Sequence, residues 1–526
     1  MNPEKWILGM ELGSTRIKAV LIDEAYKPVA QGSFEWENKL ENGIWTYSMD
    51  LVHRGVQACY ADLKKNVKET YGVTLKKVAA MGVSAMMHGY LPFDKNGKQL
   101  AEFRTWRNTI TGEAAEKLTA MFDFNIPQRW SIAHLYQAML NGEEHVSRIA
   151  SITTLAGYIH RRLTGLDVMG VGEASGMFPV VLKEDGTAAF DAGMLDKFEA
   201  IVKEMGYTWS IRQILPKVVK AGEFAGCLTE EGARFLDPEG DLEAGIPLAP
   251  CEGDAGTGMA ATNSVRVHTG NVSAGTSDFA MLVTDRKLGV HREIDMVTTP
   301  SGLPVAMVHC NNCTSEINAW VELFSEFAGL IGAEKDKSTL FTLLFKKALE
   351  GDPDCGGLLS YNYFSGEGVT DLDEGRPLFM RRPDASFTLA NFMRMHLLSA
   401  LSTLKIGLDI LTKEEGLEVE KIYGHGGFFK TPVVGQRMLS AAIGAPVSVM
   451  ETAGEGGPYG MALLGAYLVH KEEAETLEDY LDNKVFAEAS VSSVMAEPSD
   501  IEGFAAYLEQ YVKSLQTERS AVETMR

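Results

Sequence analysis

Apolar residues recur along this chain with two periods. Trp6 to Met10 and Ile17 to Asp23 are short, nearly continuous apolar runs around the turn Glu11-Leu-Gly-Ser-Thr-Arg16, which predicts a hairpin of buried strands. Residues 266–283 repeat that order, with Ala274 to Ser277 as the small-residue turn. Between the copies, Val52, Val56, Cys59, Leu63 and Val67 follow helical spacing and stop at Gly72, so residues 49–71 are expected to form an amphipathic helix. Val78 to Ser84 reads as a buried strand that delivers Ala85-Met-Met-His88-Gly89 at its end, and Tyr90 to Gly97 as a hairpin with an Asn-Gly turn.

Helical spacing then runs from Ile132 to Leu163 with a break near Asn141-Gly142, while Gly170 to Gly176 reads as a loop and residues 222–250 as short strands and turns. After the second hairpin come a helix over 315–331 and a long apolar-striped helix from Leu389 to Leu411. Ile422-Tyr-Gly-His-Gly426-Gly427-Phe-Phe-Lys430 is a strand with a glycine loop, and Pro446 to Met450 a short strand. Gly454 to Ala466 is a loop entering a helix whose Gly460, Ala462, Gly465 and Ala466 permit close packing. The last segment, 471–526, is acidic and helical in pattern and reads as a tail.

With 526 residues and 45% hydrophobic content, the chain can build several packed domains. The first boundary is expected near Gly258. A formal charge of −22 disfavours nucleic acid and anionic membrane surfaces as partners, so an anionic ligand must be held by local backbone donors and a metal. The N-terminus lacks the basic and apolar regions of a leader, and no apolar run reaches membrane-spanning length, which makes a cytoplasmic location the expectation. Six cysteines in so long a chain do not make a disulfide framework. Cys310-Asn-Asn-Cys313 lacks a second ligand pair and is read as buried thiols.

The candidate chemistry sits in Cys251-Glu-Gly-Asp254-Ala-Gly-Thr-Gly, where one acid stands among glycines, and in the two hairpin turns. Glycine lets backbone N–H groups approach an anion closely, and Ser and Thr add donors, so such a turn grips phosphate without a lysine. An ordinary β-turn has the same composition; the second copy favours the phosphate reading. His88, after a strand and before Gly89, is placed as a substrate contact rather than a satisfied core histidine, and Trp106 offers an apolar face to a sugar. Neither a P-loop nor a dinucleotide glycine fingerprint occurs.

Taken in order, Gly-Ser-Thr-Arg in an early hairpin, Met87-His88-Gly89, the Trp106 cluster, Leu163-Thr-Gly165 with Glu173-Ala-Ser-Gly176, Gly253-Asp254, Ala274 to Ser277, Gly426-Gly427 and Gly456 to Ala466 resemble the FGGY carbohydrate kinases, over about residues 6 to 470. The resemblance implies two actin-like, ribonuclease-H-like α/β domains with a cleft between them. These are a sugar-binding domain over 1–258, an ATP-binding domain over 259–470 and the helical tail 471–526. It implies Asp254 as the general base; Met87, His88, Trp106 and Asn108 with Asp254 as sugar contacts; and Glu11 facing Mg²⁺. ATP and its phosphates fall to Gly13, Ser14, Thr15, Arg16, Gly275, Thr276, Ser277, Gly426, Gly427 and Lys430, with 454–466 lining the adenosine site.

The implied partners are a small-molecule sugar and ATP, with a homodimer left open. Met87-His88-Gly89 is most similar to the xylulokinase branch, which puts D-xylulose first, with L-ribulose, L-xylulose or another ketose or polyol open. Three positions depart from the family pattern: Glu11 for Asp, Asn108 for Asp after the tryptophan, and His425 within a glycine loop. Two other classes stay open. Gly9 to Asp23 also resembles the dehydratase-activator ATPases, which carry iron–sulfur cysteines, and Glu11 admits a sugar sensor without catalysis.

Overall fold

A computed structural model describes residues 2–450 and 456–525; Gly454, the start of the expected adenosine-lining stretch, lies outside the described residues. Contacts divide the chain into two units. The first holds Met1–Val265, Asp285–Val305 and Glu455–Glu488, and the second Arg266–Thr284, Ala306–Gly454 and Ala489–Arg526. This interleaved division differs from the linear boundaries expected at 258 and 470, and it distributes the expected tail over both units. Among the described residues no helix is long and apolar enough to cross a membrane.

The first unit opens with the expected hairpin, β1 (Ile7–Leu12) and β2 (Arg16–Ile22), extended by β3 (Pro28–Glu35). Helix α1 (Met49–Tyr71) ends, as its spacing predicts, at Gly72 in the left-handed region, and Val52, Val56, Cys59, Leu63 and Val67 are all buried. Burial of each such Val or Leu side chain is worth about 1.5–3 kcal/mol, which holds the helix on the sheet. Strand β4 (Ala80–Ala85) is buried along its whole length, as a strand covered on both faces must be.

Three expectations change in the next stretch. Residues 132–163 form two helices with a strand, Ser151–Thr153, between them. The expected loop at 170–176 contains a buried helix, α2 (Val171–Ser175), and residues 222–250 include the helix Glu230–Leu236. Glycine and small residues read as loop in isolation, but burial of α2 requires its backbone groups to be paired, which a helical turn achieves. Strand β5 (Glu252–Gly253) then runs into α3 (Asp254–Ala261), so Asp254 opens a helix. The sheet order is β5-β4-β1-β2-β3, with β5, β4 and β1 parallel and β1-β2-β3 antiparallel.

The second unit repeats this plan. Strands β6 (Thr269–Ala274) and β7 (Asp278–Val283) form the second hairpin, followed by β8 (Pro304–Cys310), helix α4 (Ser315–Leu330) and helix α5 (Leu389–Asp409). After β9 (Lys421–His425) come α6 (Val434–Ile443) and β10 (Val447–Met450). The strand order β8-β7-β6-β9-β10 matches the first unit position by position, with β9 parallel to β6 and β10 parallel to β9. An edge strand, β11 (Val491–Val494), is added beyond β10, and α8 (Pro498–Lys513) packs on α6 and α5, with Phe504, Tyr507 and Tyr511 buried and the two tyrosines bonded to Ser360, Met395 and Tyr361. The apolar side of this segment thus made it part of a core.

Helix α7 (Gly456–His470) belongs to the first unit. Register sets the faces: Gly9 lies level with Val20 and Gln31, so Gly32 in β3 points to the opposite side. A side chain at Gly32 would meet α1 at Cys59 and Leu63, whereas one at Gly9 would start 2.0 Å from the Pro458 carbonyl oxygen and 2.5 Å from the Ala462 nitrogen of α7. The two helices therefore cover opposite faces. Because both obstacles at Gly9 are backbone, Gly9→Ala is expected to cost about 1–3 kcal/mol in urea denaturation. Gly258→Ala, with no neighbour within 4 Å, is expected to be neutral or to stabilise by up to about 1 kcal/mol.

Candidate active site

Three parallel strands of the first unit end level with one another. Glu252, Ser84 and Glu11 share one register position, and Gly253, Ala85 and Leu12 the next. The residues that follow therefore emerge at one sheet edge, where open α/β sheets collect ligands. From β5 comes Asp254, from β4 come Met87 and His88, and from β1 come Glu11 itself and the loop Gly13 to Thr15.

Asp254 is held by the Met87 backbone N–H, which donates to its Oδ1 at 3.1 Å. Burial raises its carboxyl to about 6, with the Met87 and Ala255 amides restraining the rise. A group at this value is ionised at neutral pH and still basic enough to take a proton. Glu11 is raised further, to about 8, by burial first and the neighbouring Asp254 second, against the pull of Lys18. Its Oε2 lies against the start of α7: a side chain at Gly457 would begin 1.4 Å away. This contact places the beginning of α7 beside the Glu11 carboxylate of the first unit.

His88 adopts φ of 71°, with Gly89 following at 101°. A non-glycine residue in this region is strained, and such strain concentrates at functional sites. Its Nδ1 lies 3.2 Å from the Gly176 carbonyl, and its ring stacks on Trp130 with centroids 6.2 Å apart.

The first loop is braced by aromatic residues. Trp36 Nε1 donates to the Gly13 carbonyl at 2.7 Å, Tyr47 Oη to the Ser14 carbonyl at 2.5 Å, and Trp106 Nε1 to Ser14 Oγ at 3.3 Å. Trp106 is thus joined to the turn that follows β1. Thr15 and Arg16 are exposed, and Arg16 pairs with Glu35 at 2.6 Å.

Asn108 does not join this group. Its Oδ1 accepts from Trp45 N at 2.8 Å while Nδ2 donates to Trp45 O at 2.9 Å and Thr105 O at 3.0 Å, which commits both donors of the buried amide to the local backbone. The departure from Asp has a local reason: two-way pairing with a peptide needs a donor and an acceptor, and a carboxylate has no donor.

In the second unit, Gly275, Thr276 and Ser277 follow β6, and Gly426, Gly427 and Lys430 follow its parallel neighbour β9, so both groups leave one sheet edge. Gly426 has φ of 97°, and a side chain there would start 2.5 Å from the Ala274 carbonyl oxygen. The loop is tied down by Cys313 N–H to Thr276 O at 2.9 Å and by Thr314 N–H and Oγ1 to Gly275 O at 3.0 and 2.7 Å. Cys310-Asn-Asn-Cys313 therefore supports this loop. Both thiols are fully buried and pushed well above their usual range by that burial, as expected of structural thiols and contrary to the iron–sulfur reading. Burial lowers the His425 imidazole to about 4, so it stands neutral beside the loop.

Several residues of this region gave no signal in the sequence. Trp36 and Tyr47 are ordinary aromatics until the loop they brace is seen, and Glu173 and Glu252, although they stand in motifs the sequence singles out, have no assigned part until both are found buried near Asp254. Among the described residues no group of three or more His, Cys, Asp or Glu could hold a metal ion. Glu11 nevertheless fits a Mg²⁺ that is also held by water and phosphate oxygens, because a desolvated carboxyl beside a second one is short of counter-charge.

Comparison with known proteins agrees with this geometry. The N-terminal domain of the FGGY family of carbohydrate kinases matches residues 6–260, and its C-terminal domain residues 270–469. The chain is 22% identical over 479 residues to the xylulose kinase of Haemophilus influenzae, covering 85% of this chain and 91% of that one. Among solved structures it is similar to a ligand-bound xylulose kinase from Lactobacillus acidophilus, with a TM-score of 0.77 at 18% identity and 99% of each chain covered. It is similar also to a gluconate kinase from that organism, with a TM-score of 0.77 at 18% identity and 98% of each chain covered. These likenesses bear on the fold, which is the expected pair of actin-like α/β domains. With both halves matched in order, the chain belongs to the FGGY family of carbohydrate kinases.

Proposed function

We propose that this carbohydrate kinase transfers the γ-phosphoryl group of ATP to a hydroxyl of a small ketose, D-xylulose at its 5-hydroxyl being the first candidate. The observation that carries the reading is Asp254, ionisable near neutrality and fixed by the Met87 N–H, beside the strained His88. Asp254 accepts the proton of the attacking hydroxyl as its oxygen bonds to the γ-phosphorus and the bond to the β-phosphate oxygen breaks, releasing ADP. Phosphoryl transfer has a loose transition state, so most of the acceleration comes from alignment and charge stabilisation. Met87, His88 and Trp106 orient the sugar. Ser14, Thr15 and Arg16 give phosphate donors in the first unit, and Gly275, Thr276, Ser277, Gly426, Gly427 and Lys430 hold ATP in the second. Glu11 would hold Mg²⁺, which neutralises phosphate charge when bound.

The test is ADP release with Mg²⁺ and ATP across D-xylulose, L-ribulose, L-xylulose, glycerol and gluconate. One ketose is expected to stimulate release, and Asp254→Asn to lower that rate by about a hundredfold or more while sugar binding persists. Stimulation by gluconate or glycerol alone would overturn the ketose assignment, and full activity in Asp254→Asn would remove it as the base.

The pH dependence follows from the sign of the shifts. Asp254 must be ionised to act, so at saturating Mg²⁺ kcat/KM is expected to be level above about 6 and to fall tenfold per pH unit below it. Glu11, raised to about 8, must lose its proton to bind a cation, so the Mg²⁺ concentration needed for half-maximal rate is expected to decrease as pH rises toward 8.

A further inference from the structure

Two buried acids behind Asp254 take no part in that mechanism. Glu252 lies two residues before Asp254 in β5, and its side chain reaches α2, where Oε2 accepts from Glu173 N at 2.9 Å and Oε1 from Gly172 N at 3.4 Å. The space it fills exists because residues 170 and 172 are glycine: a side chain at either would start 2.2 or 2.3 Å from the Glu252 carboxyl oxygens. The Gly170 N–H donates to the Cys251 carbonyl at 2.9 Å and completes this side of the junction.

Glu173 reaches the other way. It is fully buried on α2, and neither carboxyl oxygen has a hydrogen bond of good geometry, although the Thr154 hydroxyl lies near enough to favour its ionised form in part. Its Oε2 packs on the backbone of Gly253, where a side chain would begin 2.6 Å from Oε2 and 2.8 Å from Met87 Cγ. Gly253 is thus pressed between Glu173 and Met87, the residue whose N–H holds Asp254.

We propose that Glu252 and Glu173 are positioning residues that form a reciprocal clasp between β5 and α2, fixing the Gly253–Asp254 turn and the Met87 amide in the arrangement needed for proton removal. The clasp works through shape and backbone hydrogen bonds. Burial holds Glu173 well above the usual carboxylate range, so it packs as a neutral group and an amide of the same outline should replace it. Glu252 differs, because it offers an acceptor to each of two N–H groups and a glutamine offers only one oxygen. Small displacements of a reacting group cost rate more than binding, so the expected signature is a loss in kcat.

The catalytic consequence rests on the kinase reading proposed above, whereas the clasp itself is read without turnover. The experiment compares the full-length parent with Glu252→Ala, Glu252→Gln, Glu173→Ala and Glu173→Gln by amide hydrogen exchange and, with the sugar the parent phosphorylates, by steady-state kinetics. In both alanine variants, exchange over residues 86–90 and 252–258 is expected to rise about tenfold or more while the hairpin at 269–283 keeps its parent rate. In the same variants kcat is expected to fall about tenfold with sugar KM within about threefold, Glu173→Gln to restore both readouts, and Glu252→Gln to fall between.

Parent-level exchange and kcat in both alanine variants would overturn the clasp, as would exchange that rises equally throughout the chain, which marks a general structural role. Where Glu173→Ala fails to fold, Glu252→Ala decides by the same local pattern, and where Glu252→Ala fails to fold, Glu252→Gln does. If the parent turns over no sugar in the panel, the kinase reading fails, and local exchange alone then upholds or overturns the clasp.

Discussion

The backbones of a helix and a sheet can meet only where no side chain stands between them, and Gly9 meets Pro458 and Ala462 in this way beside the site. It joins the first strand to a helix from the far end of the chain and sets how near the beginning of that helix comes to Glu11. Gly457 is placed so that the Glu11 carboxyl has room and little more. The position of the Glu11 carboxyl therefore follows from backbone packing between segments remote in sequence.

The acids gathered at this edge share one physical condition. Glu11, Asp254, Glu252 and Glu173 are all raised by burial, but by different routes: Asp254 is moderated by backbone amides, Glu11 is pushed further by Asp254, Glu252 is restrained by the N–H groups of α2, and Glu173 has least to support its charge. The graded result is one carboxyl, Asp254, that is ionised at neutral pH next to carboxyls that burial drives further toward their protonated forms. A chain of net charge −22 can hold so many acids in one place because burial neutralises some of them.

Local signals were reliable where one element decides its own structure. Helix α1 could be read from its apolar stripe and Gly72, and both hairpins from paired apolar runs around small turns. They failed where neighbours decide. The segment at 171–175 is glycine-rich and looks like loop, yet its burial favours a paired helical turn. Asn108 sits where a substrate contact is expected, yet the Trp45 peptide takes both ends of its amide. The acidic C-terminal segment has a helical pattern that could be read, but nothing in it indicated that Phe504, Tyr507 and Tyr511 would close the core of the second unit.

By itself the sequence determined the two hairpins around small-residue turns and the strand that presents Met87 and His88, because these depend on residue type at short spacing, and its resemblance to a known family pointed to the FGGY kinases and to Asp254 as the candidate base. Only the tertiary structure decided the interleaved division into units, the placement of α7 beside Glu11, the aromatic bracing by Trp36 and Tyr47, and the burial of Glu173 and Glu252. Those features depend on which distant backbones approach closely and on which charges lose water together, and neither distance nor desolvation is encoded at any single position of the chain.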